Sequence, residues 1–140
     1  MSGWSLYFDS HGKPTYHYNC FGQYLTTIRA KEPLDDGDHE ILIDYQHDGG
    51  FGAGGLATLY VDGEPVNSGR IERTVPIIFS MSGETFDVGV DTGAPVGPYP
   101  HGYRFSGEIH EVVLERMSRR DRETRRKMKD GLKQAGLRSQ

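Results

Sequence analysis

Three aspartates carry the clearest metal-ligating signal in this chain of 140 residues. Asp87 and Asp91 lie in Asp87-Val-Gly-Val-Asp-Thr-Gly93, and Asp48 heads the run Asp48-Gly-Gly-Phe-Gly-Ala-Gly-Gly55. Calcium takes about six to eight oxygens from carboxylates and from the carbonyls of flexible loops, and the Asp87–Gly93 loop offers that composition, with Asp48 as a possible third ligand. The same residues also suit an Asx turn, in which the Asp91 side chain accepts backbone N–H bonds around Thr92 and Gly93. Calcium is therefore the one cofactor the sequence nominates, with a purely structural turn as the competing reading.

Aromatic rings are the second candidate chemistry. Tyr99 and Tyr103 lie in a Pro-rich segment, and Phe51 stands among glycines. These three are expected at the surface, where flat faces beside Asp would suit a carbohydrate. Trp4, Tyr16 and Tyr18 fall on alternating strand positions and are expected in the core. Other chemistries find less support. The six histidines form no close His-x-His or His-x-x-x-His pair, so zinc would need ligands from distant strands. Residues 48–55 lead into a strand with no following Lys, which does not suit a phosphate cradle. No spacing of carboxylates nominates a general acid–base pair.

The elements that must position these residues read as β up to Glu115. Candidate strands are Ser5 to Phe8, Thr15 to Phe21, Leu25 to Ala30, Glu40 to Tyr45, Leu56 to Val61, Glu64 to Ser68, Pro76 to Ser80 and Thr85 to Val90. A last strand or strand pair spans Tyr103 to Leu114, bulged at Gly107. Thr15 to Cys20 alternates Tyr16, Tyr18 and Cys20 with Thr15, His17 and Asn19, so one face is aromatic and the other polar. Asp62-Gly63 between two apolar runs is a hairpin signal, since Asp-Gly accepts the positive φ angles of a type I′ turn. Many short strands without helical periods predict an all-β fold, an antiparallel jelly-roll β-sandwich over residues 1–115. From Ser118, a plausible N-cap, helix formers dominate and predict an appended C-terminal α-helix in a basic tail, residues 116–140. Its narrow apolar stripe of Met128, Leu132 and Ala135 suits light docking.

Several of these motifs, taken in order, resemble the C-terminal, non-catalytic domain of bacterial arylsulfatases, a concanavalin/laminin-G-like sandwich. They are Gly3-Trp-Ser-Leu-Tyr7, residues 48–55, Leu59-Tyr-Val-Asp-Gly63 and residues 70–96. The resemblance covers about residues 2 to 115 and leaves the tail unexplained. It implies an accessory module packed beside a sulfatase-like catalytic domain. The sulfatase nucleophile motif, Cys or Ser followed by x-Pro-x-Arg, does not occur: Cys20 is followed by Phe-Gly-Gln-Tyr. A non-enzymatic role is expected.

Charge divides the chain in two. The formal net charge is −4. Residues 1–114 carry six basic and sixteen acidic side chains, whereas residues 115–140 carry ten basic and four acidic. An acidic body repels nucleic acid, so the tail is expected to dock on its own or a second acidic body, giving self-association. The single Cys20 excludes an internal disulfide. With no secretion signal or membrane-length apolar run in view, a soluble cytoplasmic protein is expected. The expected function is an interaction or assembly module, the alternative a small lectin-like domain assisted by calcium.

Overall fold

The computed structural model of the chain describes residues 3–74, 88–89, 96–100, 102–115, 120, 123–124 and 127–128. Two compact units divide it, Met1–Glu108 and Ile109–Gln140. Among the described residues the first unit is all-β. It holds six strands: β1 Gly3–Phe8, β2 Pro14–Cys20, β3 Tyr24–Arg29, β4 Ile41–His47, β5 Ala53–Val61 and β6 Glu64–Arg73. They form two three-stranded antiparallel sheets, ordered β1-β2-β3 and β4-β5-β6.

Side-chain alternation decides which faces meet. In the first sheet Tyr16 pairs with Ile28 and Cys20 with Tyr24, which places all four on one face. In the second, Tyr45 pairs with Ala57 and Ile43 with Leu59, and Gly55 pairs with Ile71. These inner faces share one core, made of Tyr16, Ile28, Ala30, Ala57, Leu59 and Ile71, with Leu59 fully buried. Close approach of the sheets requires glycine at Gly69, because a Cβ there would lie 2.9 Å from the Ile28 side chain. Two side-chain bonds tie β3 to β6: Asn67 donates to the Arg29 carbonyl at 2.9 Å, and Thr26 to the Arg70 carbonyl at 3.3 Å.

The polar face of β2 is also covered. Thr15 and His17 are buried, and residues 96–99 approach this face: a Cβ on Gly97 would lie 3.4 Å from the His17 ring. Asn19 donates to the Val96 carbonyl at 3.3 Å, and the Tyr99 hydroxyl donates to Ser5 Oγ at 2.9 Å. A polar strand face thus becomes interior by pairing its side chains with a loop. His17 Nδ1 lies 2.8 Å from Thr27 Oγ1, and burial pushes its pKa below the ordinary histidine value.

The turns follow their sequence signals. Asp62 adopts φ 51° between β5 and β6, as the Asp-Gly pair predicts. Its carboxylate accepts the Glu40 N–H at 2.9 Å and meets His39 Nδ1 at 2.7 Å. Before β2, Asp9 accepts the N–H groups of His11 and Lys13 at 2.9 and 3.0 Å and pairs with Arg29 at 3.1 Å.

Two expectations are corrected. Residues 103–114 do not form a long strand: Arg104 makes an isolated bridge, and residues 106–115 are exposed and without strand structure. Apolar residues fall on both parities there (Ile109 and Val113, Val112 and Leu114), so no single face is available to bury. Gly54 and Gly55, read as loop, lie inside the central strand β5. A Cβ on Gly54 would collide with the carbonyls of Ile71 and Glu72, and one on Gly55 with the carbonyl of Gln46. The expected strands at 76–80 and 85–90 fall almost wholly outside the described residues. In the second unit Arg120, Glu123, Thr124, Lys127 and Met128 have helical backbone, and Thr124 Oγ1 donates to the Arg120 carbonyl at 3.1 Å. Leu132 and Ala135 of the expected stripe lie outside the described residues. No helix among the described residues is long and apolar enough to cross a membrane.

Candidate binding groove

The core opens at one end, where β2 turns into β3 and β4 into β5. Cys20 and Tyr24 continue the inner face of the first sheet. Ala53 and Arg73, paired across β5 and β6, continue that of the second. Between them lies a groove of about 300 Å³, lined by Cys20, Phe21, Gln23, Tyr24, Phe51, Gly52, Arg73 and Thr74. A second recess of about 380 Å³ adjoins it through Gln23 and Tyr24 and is bounded by Arg70 and Glu72. The first is mainly apolar, the second mainly polar.

Local backbone sets out the rings. Phe21 adopts φ 53° and Gly22 φ 69°, with the Gln23 N–H donating to the Cys20 carbonyl at 3.1 Å. Asn19 Oδ1 accepts the Gly22 N–H at 2.7 Å and braces the turn. Positive φ is rare for a bulky residue, and here it leaves the Phe21 side chain 57% exposed. Phe51, flanked by Gly50 and Gly52, is 81% exposed. Tyr24 is 38% exposed.

Polar groups behind the rings are largely committed. Thr74 Oγ1 donates to the Ala53 carbonyl at 2.7 Å and approaches His47 Nε2 at 3.5 Å. The His47 ring packs edge-on to Tyr45, with centroids 6.1 Å apart. Burial pushes the Tyr45 phenol up to about 12, and the neighbouring Tyr18 and Asp48 add to the effect. That hydroxyl is a neutral donor at ordinary pH. Arg70 pairs with Asp48 at the surface. Among the described residues no carboxylate pairs with Arg73.

The residues nominated by sequence are not gathered in one place. Phe51 is exposed and lines the groove. Tyr99 and Tyr103 are not displayed as expected. They are half-buried on β1, with Tyr7 4.8 Å from Tyr99 and 6.3 Å from Tyr103, ring centroid to ring centroid. The Tyr103 hydroxyl donates to the Phe8 carbonyl at 2.6 Å. Ring and hydroxyl alike are engaged in closing the outer side of β1. Trp4, expected in the core, is 42% exposed. Among the metal candidates, Asp48 has its carboxylate engaged by Arg70, while Asp87 and Asp91 lie outside the described residues. No cluster of metal-ligating side chains occurs among the described residues.

Phe21 and Tyr24 belong to the aromatics dense near the N-terminus, which could form a sugar platform but were not among those expected at the surface, and Arg73 was not singled out by sequence. The available signal was a large aromatic directly before a turn glycine, both at Phe21-Gly22 and at Phe51-Gly52, and at Phe21 a positive φ accompanies the display. Arg73 gives no signal in sequence, because its isolation is visible only once Arg29 and Arg70 have found their aspartates. In comparison with known proteins the chain matches no family model, no curated protein and no solved structure.

Proposed function

We propose that this chain is a non-catalytic binding module built as a jelly-roll β-sandwich with a C-terminal helix, similar to the C-terminal domain of bacterial arylsulfatases. The observation that carries the proposal is the display of Phe21 and Phe51 on either side of one groove. Large apolar side chains exposed at one groove favour a partner that covers them. Assembly is the first use of such a surface, with a sulfatase-like catalytic domain or a second copy as partner. The acidic body and basic tail support charge-assisted self-association through residues 116–140. Light scattering on the intact chain tests this. A mass above one chain that falls with rising salt, and falls in the double variant Arg120→Glu/Lys127→Glu, is expected. A single-chain mass at every salt and protein concentration would contradict self-association.

A second reading is favoured by the groove itself. Aromatic faces beside a polar recess match the two surfaces of a pyranose, whose C–H faces are apolar and whose hydroxyls need donors and acceptors. A lectin-like role at the mouth of the sandwich then follows, with Phe51 retained from the sequence-based set and Tyr99 and Tyr103 replaced by Phe21 and Tyr24. Calcium at Asp87 and Asp91 remains part of this proposal. Millimolar calcium is expected to raise the melting temperature relative to EDTA, by linkage to the folded state. An unchanged melting temperature would remove the metal.

A further inference from the structure

We infer that the groove selects saccharides carrying an anionic substituent, carboxylate or sulfate, which Arg73 receives while Phe21, Tyr24 and Phe51 hold the ring. The inference rests on the saccharide reading above and adds a chemical class to it.

Size argues for a small ligand. About 300 Å³ falls at the lower end of small-molecule sites, roughly 300–1,000 Å³. Charge argues for an anion. Arg29 is matched to Asp9 and Arg70 to Asp48, but Arg73 has no carboxylate partner among the described residues. Arg73 lines the groove and keeps its donors available to a bound anion. Geometry argues for a fork. Arg73 continues the inner face two residues beyond the buried Ile71, beside the rings. A guanidinium meets carboxylate or sulfate with paired N–H donors, which an ammonium cannot do. Glu72, on the opposite parity, borders the adjoining polar recess with Arg70. It offers acceptors to sugar hydroxyls and discourages an anion on that side, which fixes the direction in which the ring enters.

The test screens the intact chain against an array of neutral, uronic-acid and sulfated oligosaccharides. The matched neutral and anionic pair that binds is then titrated calorimetrically. The anionic member is expected to bind about tenfold tighter than its neutral counterpart, the effect of one charge-assisted contact, and to weaken with salt. Carboxylated and sulfated members read out separately which anion is preferred. Arg73→Gln should erase the difference between the two members, and Arg73→Lys should restore only part of it. Phe51→Ser should weaken both members. Equal affinity for the pair, or equal losses in Arg73→Gln, would overturn the inference while the saccharide reading stood. Binding to no member would overturn both. A concentration-dependent rise in mass that Phe51→Ser abolishes would assign the groove to a second copy and overturn it as well.

Discussion

Phe21 holds a backbone conformation that costs about 1–3 kcal/mol in a non-glycine residue, with its side chain 57% exposed. Asn19 and the Cys20 carbonyl hold the turn in place, and Phe21 lines the same groove as Phe51. Two histidines show how differently single residues respond to surroundings. His17 is buried, and burial lowers its pKa; the unfolded chain therefore takes up its proton first. Stability from His17 is present above the unfolded value, about 6.5, and is lost as pH falls through the folded value. His39 is the reverse. Both ring nitrogens face acceptors, Asp62 at 2.7 Å and the Asp35 carbonyl at 2.7 Å, and the Asp62 bond leads in raising its pKa. Its contribution is present below about 6.5 and is lost as pH rises through the folded value. NMR titration of the imidazole signals should therefore give midpoints on opposite sides of the free-histidine value. Coincident midpoints would contradict both environments.

Strand β5 is the central strand of the second sheet, between β4 and β6, and its glycines show how tightly it is held. Gly55→Ala would drive a methyl group into the Gln46 carbonyl and the Tyr45 ring, at a cost of about 1–3 kcal/mol. The measurement is the urea midpoint, and an unchanged midpoint would mean that the strands part without penalty. Much of this level was legible in sequence. Tyr16, Tyr18 and Cys20 alternate visibly, and Asp62-Gly63 fixes the β5–β6 hairpin. Gly54 and Gly55 were misread because glycine signals freedom in a sequence, and only the neighbouring carbonyls reveal that it answers a lack of space. Ile109 to Leu114 was misread for a related reason: β-branched residues raise strand propensity, but apolar side chains on both parities leave no face for a sheet to bury. The groove was the least legible part. Phe51 announces itself among glycines, but the convergence of Phe21, Tyr24 and Arg73 on it depends on sheet packing across residues far apart in the chain.

At the scale of the whole molecule, an acidic β body precedes a basic tail, and the body carries its displayed aromatics at the mouth of its core. Charge segregation was readable from composition, since a running count of carboxylates against cations needs no structure. Where the rings gather was not readable, because Tyr99 and Tyr103 have the same composition signal as Tyr24 and opposite roles. The central claim is that this mouth, and not the 99–103 segment, is the binding surface. Amide chemical-shift mapping on the isotope-labelled intact chain, titrated with the array-selected oligosaccharide, addresses it most directly. Perturbations are predicted to cluster on residues 20–24, 51–52 and 72–74, with Tyr99 and Tyr103 undisturbed. Perturbations centred on Tyr99 and Tyr103, or none at saturating ligand, would contradict it.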